Sequence, residues 1–596
     1  MLLVALALAL GCGDKDLEVS DAGDAEGDDT GAPEVVDDTA RTGETGDTAR
    51  PDDTAAVDSG PSDTAPLDTA PLDTDTDTGE VVVDGDGDGY VEGVDCDDTD
   101  AALNLDDLDA DGFSTCDDDC DDGDATRSPG EAEICGDAID NDCDGTADEY
   151  LCGGDQSLTD ADAKFIGDAG DLAGLSVGGA GDVNGDGYDD LLIGAGFHDS
   201  AGAAFLVLGG GPSDPVVGEL TPTTVDARLL GVAASDGAGW SVGGAGDVNS
   251  DGYADLLIGA VYDATADDRA GAAYLVLGPV SGELSLADAD ARLLGEDEDD
   301  FAGIATSGAG DVDGDGVPDL LIGAINAGSG DSEGAAYVVS GATSGELGLA
   351  DAGAVLVGEG ANDDCGYDVS GVGDADGDGV SDLLIGCPLA DVGGAVYLVL
   401  GPVAGTVSLS EADARFLGEG TGDSAGWSLS GVGDVDGDGL QDLIVGAPYE
   451  SSWTPLAGAA YLIHGEAKPA GEQSLADAQA KLLGEDLYHY AGVAVGGGDV
   501  DGDGFDDVLV GAIEASDGGI QAGATYVMAG PFAGTLSLSD AGVRLLGEDV
   551  SDHAGSAVTV AGDLDGDGRG DVLVGAAYAG SGDVAGAAYL IYGSAF

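Results

Sequence analysis

Residues 311–324 read Asp311-Val312-Asp313-Gly314-Asp315-Gly316-Val317-Pro318-Asp319-Leu320-Leu321-Ile322-Gly323-Ala324. Four carboxylates fall at the first, third, fifth and ninth places of a glycine-rich loop, and an apolar run follows. Alternate acids in a tight loop point at one centre, the arrangement that holds a hard cation with about six to eight oxygen ligands. Glycine at the sixth place permits the sharp turn, and the residue at the seventh offers its carbonyl. The pattern D-x-[DN]-x-D-G-x-x-D also begins at Asp182, Asp247, Asp374, Asp434, Asp499 and Asp563, at intervals of 60 to 65 residues. A fixed period of this length marks a repeat architecture.

The rest of each period supplies short apolar segments. Around Asp311 these are Ala291-Arg292-Leu293-Leu294, Ala302-Gly303 leading into the loop, Asp319–Ala324, and Gly334-Ala335-Ala336-Tyr337-Val338-Val339. Glycine in or beside every segment argues against helices and for short strands. Four-stranded units of this length are propeller blades, so residues 155–596 are predicted to form an all-β, seven-bladed β-propeller of about 28 strands. A linear β-solenoid is the rival, but its rungs are shorter. The array opens on Lys164-Phe165-Ile166-Gly167 and stops after Gly586–Tyr592 without another such segment. The first strand is therefore expected to complete the last blade, which removes two exposed edges at once.

The repeats resemble the FG-GAP repeats of integrin alpha-subunit propellers and their bacterial relatives. Gly446-Ala447-Pro448 matches the second half of that signature and Gly386-Cys387-Pro388 varies it. Ala238-Gly239-Trp240, Ala302-Gly303 and Ala425-Gly426-Trp427 stand where Phe-Gly is expected. The resemblance implies that the acidic loop joins the first two strands of each blade and binds Ca²⁺ on the lower face. It also implies that ligands meet the loops on the opposite face, which here include Tyr262, Arg269, Tyr449 and Trp453.

Loop spacing assigns the cation ligands copy by copy. They are Asp182, Asn184, Asp186 and Asp190 with the carbonyl of Tyr188; Asp247, Asn249, Asp251 and Asp255 with Tyr253; and Asp311, Asp313, Asp315 and Asp319 with Val317. The later copies give Asp374, Asp376, Asp378 and Asp382 with Val380; Asp434, Asp436, Asp438 and Asp442 with Leu440; Asp499, Asp501, Asp503 and Asp507 with Phe505; and Asp563, Asp565, Asp567 and Asp571 with Arg569. About seven Ca²⁺ ions are expected in the propeller, held as structural rather than catalytic ions.

Composition agrees with cation loading. The chain has 123 acidic against 13 basic residues and a formal net charge of -110. Such a charge repels nucleic acid and anionic lipid and opposes compaction unless counterions are held locally. Hydrophobic residues make up 43% of the chain, enough for a core, while 109 glycines and 5% aromatics suit tight turns between short strands.

Leu2–Leu10 is apolar and too short to span a bilayer, and Ala9-Leu10-Gly11-Cys12 resembles a lipobox, so residues 1–11 read as a signal peptide with a lipid on Cys12. No Lys or Arg precedes the apolar run, and the true start codon can lie upstream. Residues 12–83, rich in Asp, Thr, Ala and Pro, read as a disordered tether. Residues 84–152 hold six cysteines and three acidic loops, at Asp84, Asp86 and Asp88, at Asp107, Asp109 and Asp111, and at Asp140, Asp142, Asp144 and Asp148. With so few apolar residues this segment needs disulfides and metal to hold a shape. Pro129–Cys135 followed by Asp140-Asn141-Asp142-Cys143-Asp144-Gly145 resembles the metal-binding motif of MopE-like bacterial surface proteins; all-oxygen ligands favour Ca²⁺ over copper. The cysteines left after Cys12 are even in number, which points to an oxidising compartment, and Cys365 with Cys387 suits a disulfide within one blade.

Six copies place a base before the outer strand: Lys164, Arg228, Arg292, Arg415, Lys481 and Arg544, with Val355 the exception. Pairing with local acids is the expected role. The histidines, His198, His464, His489 and His553, share no spacing, and no nucleophile elbow, phosphate loop or H-E-x-x-H pattern occurs. The reading is a non-enzymatic, monomeric, Ca²⁺-stabilised binding or adhesion protein of the cell envelope, lipid-anchored at the outer surface or secreted, whose rigid face meets an extracellular protein or glycan. A passive envelope component and the non-catalytic part of a secreted hydrolase system are the alternatives.

Overall fold

The computed structural model describes residues 154–328, 332–466, 469–580 and 584–596. Cys12, the tether, and the module containing Asp84, Asp86, Asp88, Asp107, Asp109, Asp111, Asp140, Asp142, Asp144 and Asp148 lie outside the described residues.

Within that range the chain forms seven sheets arranged as a β-propeller. The second blade shows the plan: Ala238–Gly246, Asp255–Ala260, Ala272–Val276 and Ala291–Leu294 run antiparallel from the axis outward. The second and third strands are buried along their whole length, because both of their faces pack against neighbouring blades. Consecutive blades share a core; Leu192, Leu206 and Leu229 of the first blade pack with Leu256, Ile258 and Tyr274 of the second. The innermost strands are rich in glycine because they crowd together at the axis. A Cβ on Gly178 would lie 2.8 Å from the carbonyl oxygen of Val242 in the next blade.

Each sheet carries a fifth strand beyond the four expected, giving 35 strands among the described residues. This extra strand comes from the following blade and lies parallel on the outer edge. Gly282–Ser285, for example, pairs with Ala227–Leu230 of the first blade. The chain then turns at Leu286–Asp288, where Ser285 Oγ accepts the Ala287 N–H at 3.3 Å and Leu286 is fully buried, and enters Ala291–Leu294 as the outer strand of the second blade. Every blade thus clasps its predecessor, and no four-stranded edge is left open to pair with another chain.

The ring closes through the first described residues. Ala163–Ile166 forms the outer strand of the seventh blade, antiparallel to Ala587–Ile591, as the repeat count predicts. Gly154–Ser157, just before it, is the clasp strand of the sixth blade, parallel to Val543–Leu546. Phe165 and Leu158 anchor the two strands and are each 2% exposed.

Candidate functional site

In every blade the acidic loop connects the innermost strand to the second strand. The glycine at its sixth place has φ near +90°, as at Gly187 (93°), Gly316 (90°) and Gly504 (91°), a conformation open to glycine and strained for other residues. The aspartate at the ninth place opens the second strand and is buried: Asp190, Asp255, Asp319, Asp382, Asp442, Asp507 and Asp571. One of its oxygens accepts the N–H of the residue at the second place, from Val183 to Asp190 at 2.8 Å and from Leu564 to Asp571 at 2.8 Å. In six blades the other oxygen accepts an N–H just past the third strand, as from Gly209 to Asp190 at 2.8 Å. The ninth residue therefore ties three parts of the blade together besides facing the loop.

The carboxylates at the first places accept backbone N–H groups of their own loops, as at Asp182, where Gly185 donates at 2.6 Å and Gly187 at 2.8 Å. Ligand oxygens of Asp374, Asp376 and Asp382 lie within 4.8 Å of one another, as do those of Asp434, Asp436 and Asp442, of Asp499, Asp501 and Asp507, and of Asp311, Asp313 and Asp315. Burial raises the ninth-place carboxyls, Asp190 and Asp571 to about 7, Asp382 to about 6 and Asp507 to about 8, against backbone hydrogen bonds that hold them down. In the sixth loop Asp501 is 4% exposed, and its Oδ2 is buried with no hydrogen-bond partner. A buried carboxylate oxygen without a donor, beside two more acids, is the environment a divalent cation satisfies. The all-oxygen donor set fits a hard ion.

The seventh-place residues do more than offer carbonyls. In five of the seven loops the side chain packs on the fourth-place glycine of the preceding loop, and a Cβ there would meet it. The distance is 2.6 Å from Gly185 to Tyr253, 3.1 Å from Gly377 to Leu440, 2.6 Å from Gly437 to Phe505, 3.2 Å from Gly502 to Arg569 and 2.5 Å from Gly566 to Tyr188. Five pairs of adjacent loops are thereby coupled, the exceptions being at Ser250 and at Gly314, which has no such neighbour, and the ligand pattern alone did not reveal this.

Because strands alternate in direction, the connection after the third strand lies at the acidic-loop end, while those that follow the second strand and the outer strand emerge at the opposite end. There the aromatics form two runs. Phe197, Trp240, Tyr262 and Phe301 follow one another with ring centroids 6.2, 5.5 and 6.0 Å apart. Tyr367, Trp427, Tyr449 and Tyr490 do so at 4.6, 5.8 and 5.7 Å. Trp240, Tyr367 and Trp427 border a 340 Å³ cavity on the axis, lined by the innermost strands of all seven blades. Inside it, Asp368 accepts the N–H of Leu429 at 2.8 Å, and burial raises its carboxyl to about 7.

The four predicted ligand-binding residues do not form one site. Tyr262 and Tyr449 stand in different aromatic runs, each with a buried hydroxyl that lacks a partner; burial pushes Tyr262 up to about 12. Arg269 is paired with Asp299 at 2.5 Å and lies over the Phe301 ring. Trp453 is 71% exposed and stands beside Lys481 of the outer strand, away from the axis. Cys365 and Cys387 are joined at 2.03 Å between the entry and second strand of the fourth blade.

The bases expected before the outer strands lie within them, as second residues, and meet acids, as expected. Lys164 pairs with Glu548, Arg415 with Glu359 and Asp391, and Arg544 with Glu485. The third-strand tyrosine lies under the cation at Tyr274, Tyr397, Tyr461 and Tyr589. The first blade differs. Phe205 replaces that tyrosine, and His198 stands edge-on to it with Nδ1 2.7 Å from Asp171 Oδ2, near Asp168. Sequence spacing missed this cluster; the signal was the single Phe at a position otherwise held by Tyr.

The FG-GAP repeat model matches residues 173–207, 425–463 and 554–591, each spanning an acidic loop and its flanking strands in blades one, five and seven. This chain carries FG-GAP repeats. The FG-GAP propeller is 31% identical over 235 residues to Integrin alpha pat-2 of Caenorhabditis briggsae, covering 36% of this chain and 18% of the relative. It is 33% identical over 158 residues to Integrin alpha-PS2 of Drosophila melanogaster (24% and 11%) and 30% identical over 165 residues to Integrin alpha-6 of Gallus gallus (27% and 14%). The chain thus spans less than a fifth of the length of these relatives. A MopE-type metal-binding motif matches residues 119–149, outside the described residues.

Proposed function

We propose that the FG-GAP propeller is a Ca²⁺-stabilised binding or adhesion module that works outside the cytoplasm and meets a protein or glycan with the face opposite its acidic loops. The observation that carries this is the division of the ring into two ends. One end gathers acids in seven loops of one pattern; the other gathers two runs of aromatics, most of them half-buried and with Trp240 and Phe301 buried, of which Trp240, Tyr367 and Trp427 border an axial cavity. Aromatic residues at the mouth of a rigid concavity are favoured binding anchors. Similarity to integrin alpha chains supports an adhesive role, and the Cys365–Cys387 bond supports an oxidising location. In each loop the residues at places one, three, five and nine, with the carbonyl at place seven, would hold the ion. Bound Ca²⁺ would cross-link the loop carboxylates and relieve their repulsion. The role proposed is recognition without catalysis.

The test is binding of the purified chain to immobilised extracellular proteins and glycans, with Ca²⁺ and after chelation, beside a Trp240→Ala, Trp427→Ala variant. Binding that needs both the cation and the two tryptophans supports the reading; absence of binding to every target under Ca²⁺ removes it.

A further inference from the structure

The entry to the first blade lacks an ion pair that its counterparts carry. In four blades the acid that opens the entry turn meets a base of the outer strand: Glu359 with Arg415, Glu419 with Lys481, Glu485 with Arg544 and Glu548 with Lys164. The third-strand tyrosine also donates to this acid, from Tyr337 to Glu296 at 3.0 Å, from Tyr397 to Glu359 at 3.0 Å and from Tyr589 to Glu548 at 3.2 Å. Asp168 holds that place in the first blade. Phe205 has no hydroxyl to give it, and the base of that blade, Arg228, pairs with Glu283 of the clasp strand at 2.6 Å. Among the described residues no Lys or Arg pairs with Asp168 or Asp171.

An imidazole stands there instead. His198 Nδ1 lies 2.7 Å from Asp171 Oδ2, which also accepts the Asp168 N–H at 2.8 Å, while Oδ1 accepts no hydrogen bond from the described residues. Ligand atoms of Asp168, Asp171 and His198 all lie within 4.8 Å of one another. Bonds of about 2.0–2.2 Å to one tetrahedral ion set its ligand atoms roughly 3.4 Å apart, so small side-chain turns bring the three onto one ion. The cluster is held on one side and open on the other: the side chains of Asp171 and His198 are each 5% exposed, and Asp168 faces solvent. Asp199 Oδ2 stands 3.7 Å from Nε2, on the side where a carboxylate orients the second ring nitrogen of a metal-bound histidine. Acids without a base call for a cation, and the imidazole decides its class. Ca²⁺ takes oxygen ligands, whereas one nitrogen with two carboxylates suits a first-row dication such as Zn²⁺.

We propose that Asp168, Asp171 and His198 form a Zn²⁺ site on the first blade, where the ion replaces the missing base and ties the entry turn to the connection between the second and third strands. His198 binds through Nδ1, whose proton leaves to solvent; each aspartate supplies one oxygen, and water completes the shell. Without the ion, Nδ1 keeps its proton and the hydrogen bond to Asp171. The site is independent of the acidic loops and of the face proposed to meet a protein or glycan.

The experiment is equilibrium dialysis of the full chain against Zn²⁺ in excess Ca²⁺, which keeps the acidic loops filled. Two variants run alongside, Asp168→Ala and His198→Asn. Zinc held elsewhere in the chain, by the cysteines for instance, is common to all three proteins and cancels in the comparison. Each variant is expected to lose one bound Zn²⁺, or to hold it at least tenfold more weakly. With Co²⁺ in place of Zn²⁺, each should lose part of the visible absorption of the wild type. Asp168 is exposed, so Asp168→Ala keeps the test sound if His198→Asn folds poorly, and an unchanged melting temperature in Ca²⁺ checks this. The same number of Zn²⁺ ions bound at the same affinity in a folded variant overturns the site, as does a wild type that binds no Zn²⁺ once Ca²⁺ is in excess.

Discussion

Asp189 and Asp563 are 374 residues apart in the chain and exchange two hydrogen bonds across the seam of the ring. The Asp189 N–H donates to the Asp563 carbonyl at 3.2 Å, and the Asp563 N–H donates to Asp189 Oδ2 at 3.0 Å. Asp506 and Asp434 repeat the exchange between blades six and five at 3.1 and 2.6 Å. Acidic loops are thus bonded to one another, and what stabilises one loop is felt by the next.

Chelation is therefore expected to lower the melting temperature in a single cooperative transition rather than loop by loop. At about 0.1 mM affinity and about 2 mM Ca²⁺, linkage gives about 1.8 kcal/mol per site, an upper figure if the unfolded chain also binds. Differential scanning calorimetry with and without chelator reads the shift; an unmoved transition would contradict cation loading.

The closing strands make the N-terminal part of the propeller essential. Phe165→Ala is expected to cost about 3–5 kcal/mol, the range for emptying a buried aromatic site. Deleting residues 154–166 removes the clasp of blade six and the outer strand of blade seven together, and should abolish cooperative unfolding. Urea denaturation measures both, and a deletion variant with wild-type stability would refute ring closure.

The bond between Cys365 and Cys387 closes a loop of 22 residues' separation. On the chain-entropy estimate its loss costs about 3 kcal/mol. Chemical denaturation of the Cys365→Ala, Cys387→Ala variant against oxidised wild type checks this, and equal midpoints would show that the bond carries no stability.

His198 gives a pH signature. Its hydrogen bond to Asp171 raises its pKa, outweighing burial, and the charges of Asp171, Asp199 and Asp168 add to the rise. A folded pKa above the unfolded value of about 6.5 means this contribution is fully present below that pH and fades as pH rises through the folded pKa. The stability gap between wild type and His198→Gln should accordingly be wider at pH 5.5 than at pH 8.5. Thermal melts at the two pH values decide it, and a gap that grows toward pH 8.5 would reverse the assignment.

Much of this architecture was legible because the determining features recur. The loops, the buried second strand and the need for Ala163–Ile166 to finish the last blade all follow from the period. The clasp strand was hidden although its phrase also recurs, as Gly282-Glu283-Leu284-Ser285 and Gly471-Glu472-Gln473-Ser474. Its residues are largely exposed, so they lack the apolar run that marks a strand, and parallel pairing to another blade leaves no local trace. The candidate ligand face was read less well. Tyr262, Arg269, Tyr449 and Trp453 are of the right chemical type, but which of them share a surface depends on loop lengths that the repeat does not fix.

The double engagement of the N-terminal segment has a mechanical side. Traction applied at Gly154 enters the sixth sheet through Gly154–Ser157 and the seventh through Ala163–Ile166. The load falls first on Gly154–Ser157 and reaches Ala163–Ile166 only after that strand and Leu158 have let go. Pulling the segment free would thus take two successive releases, one from each sheet.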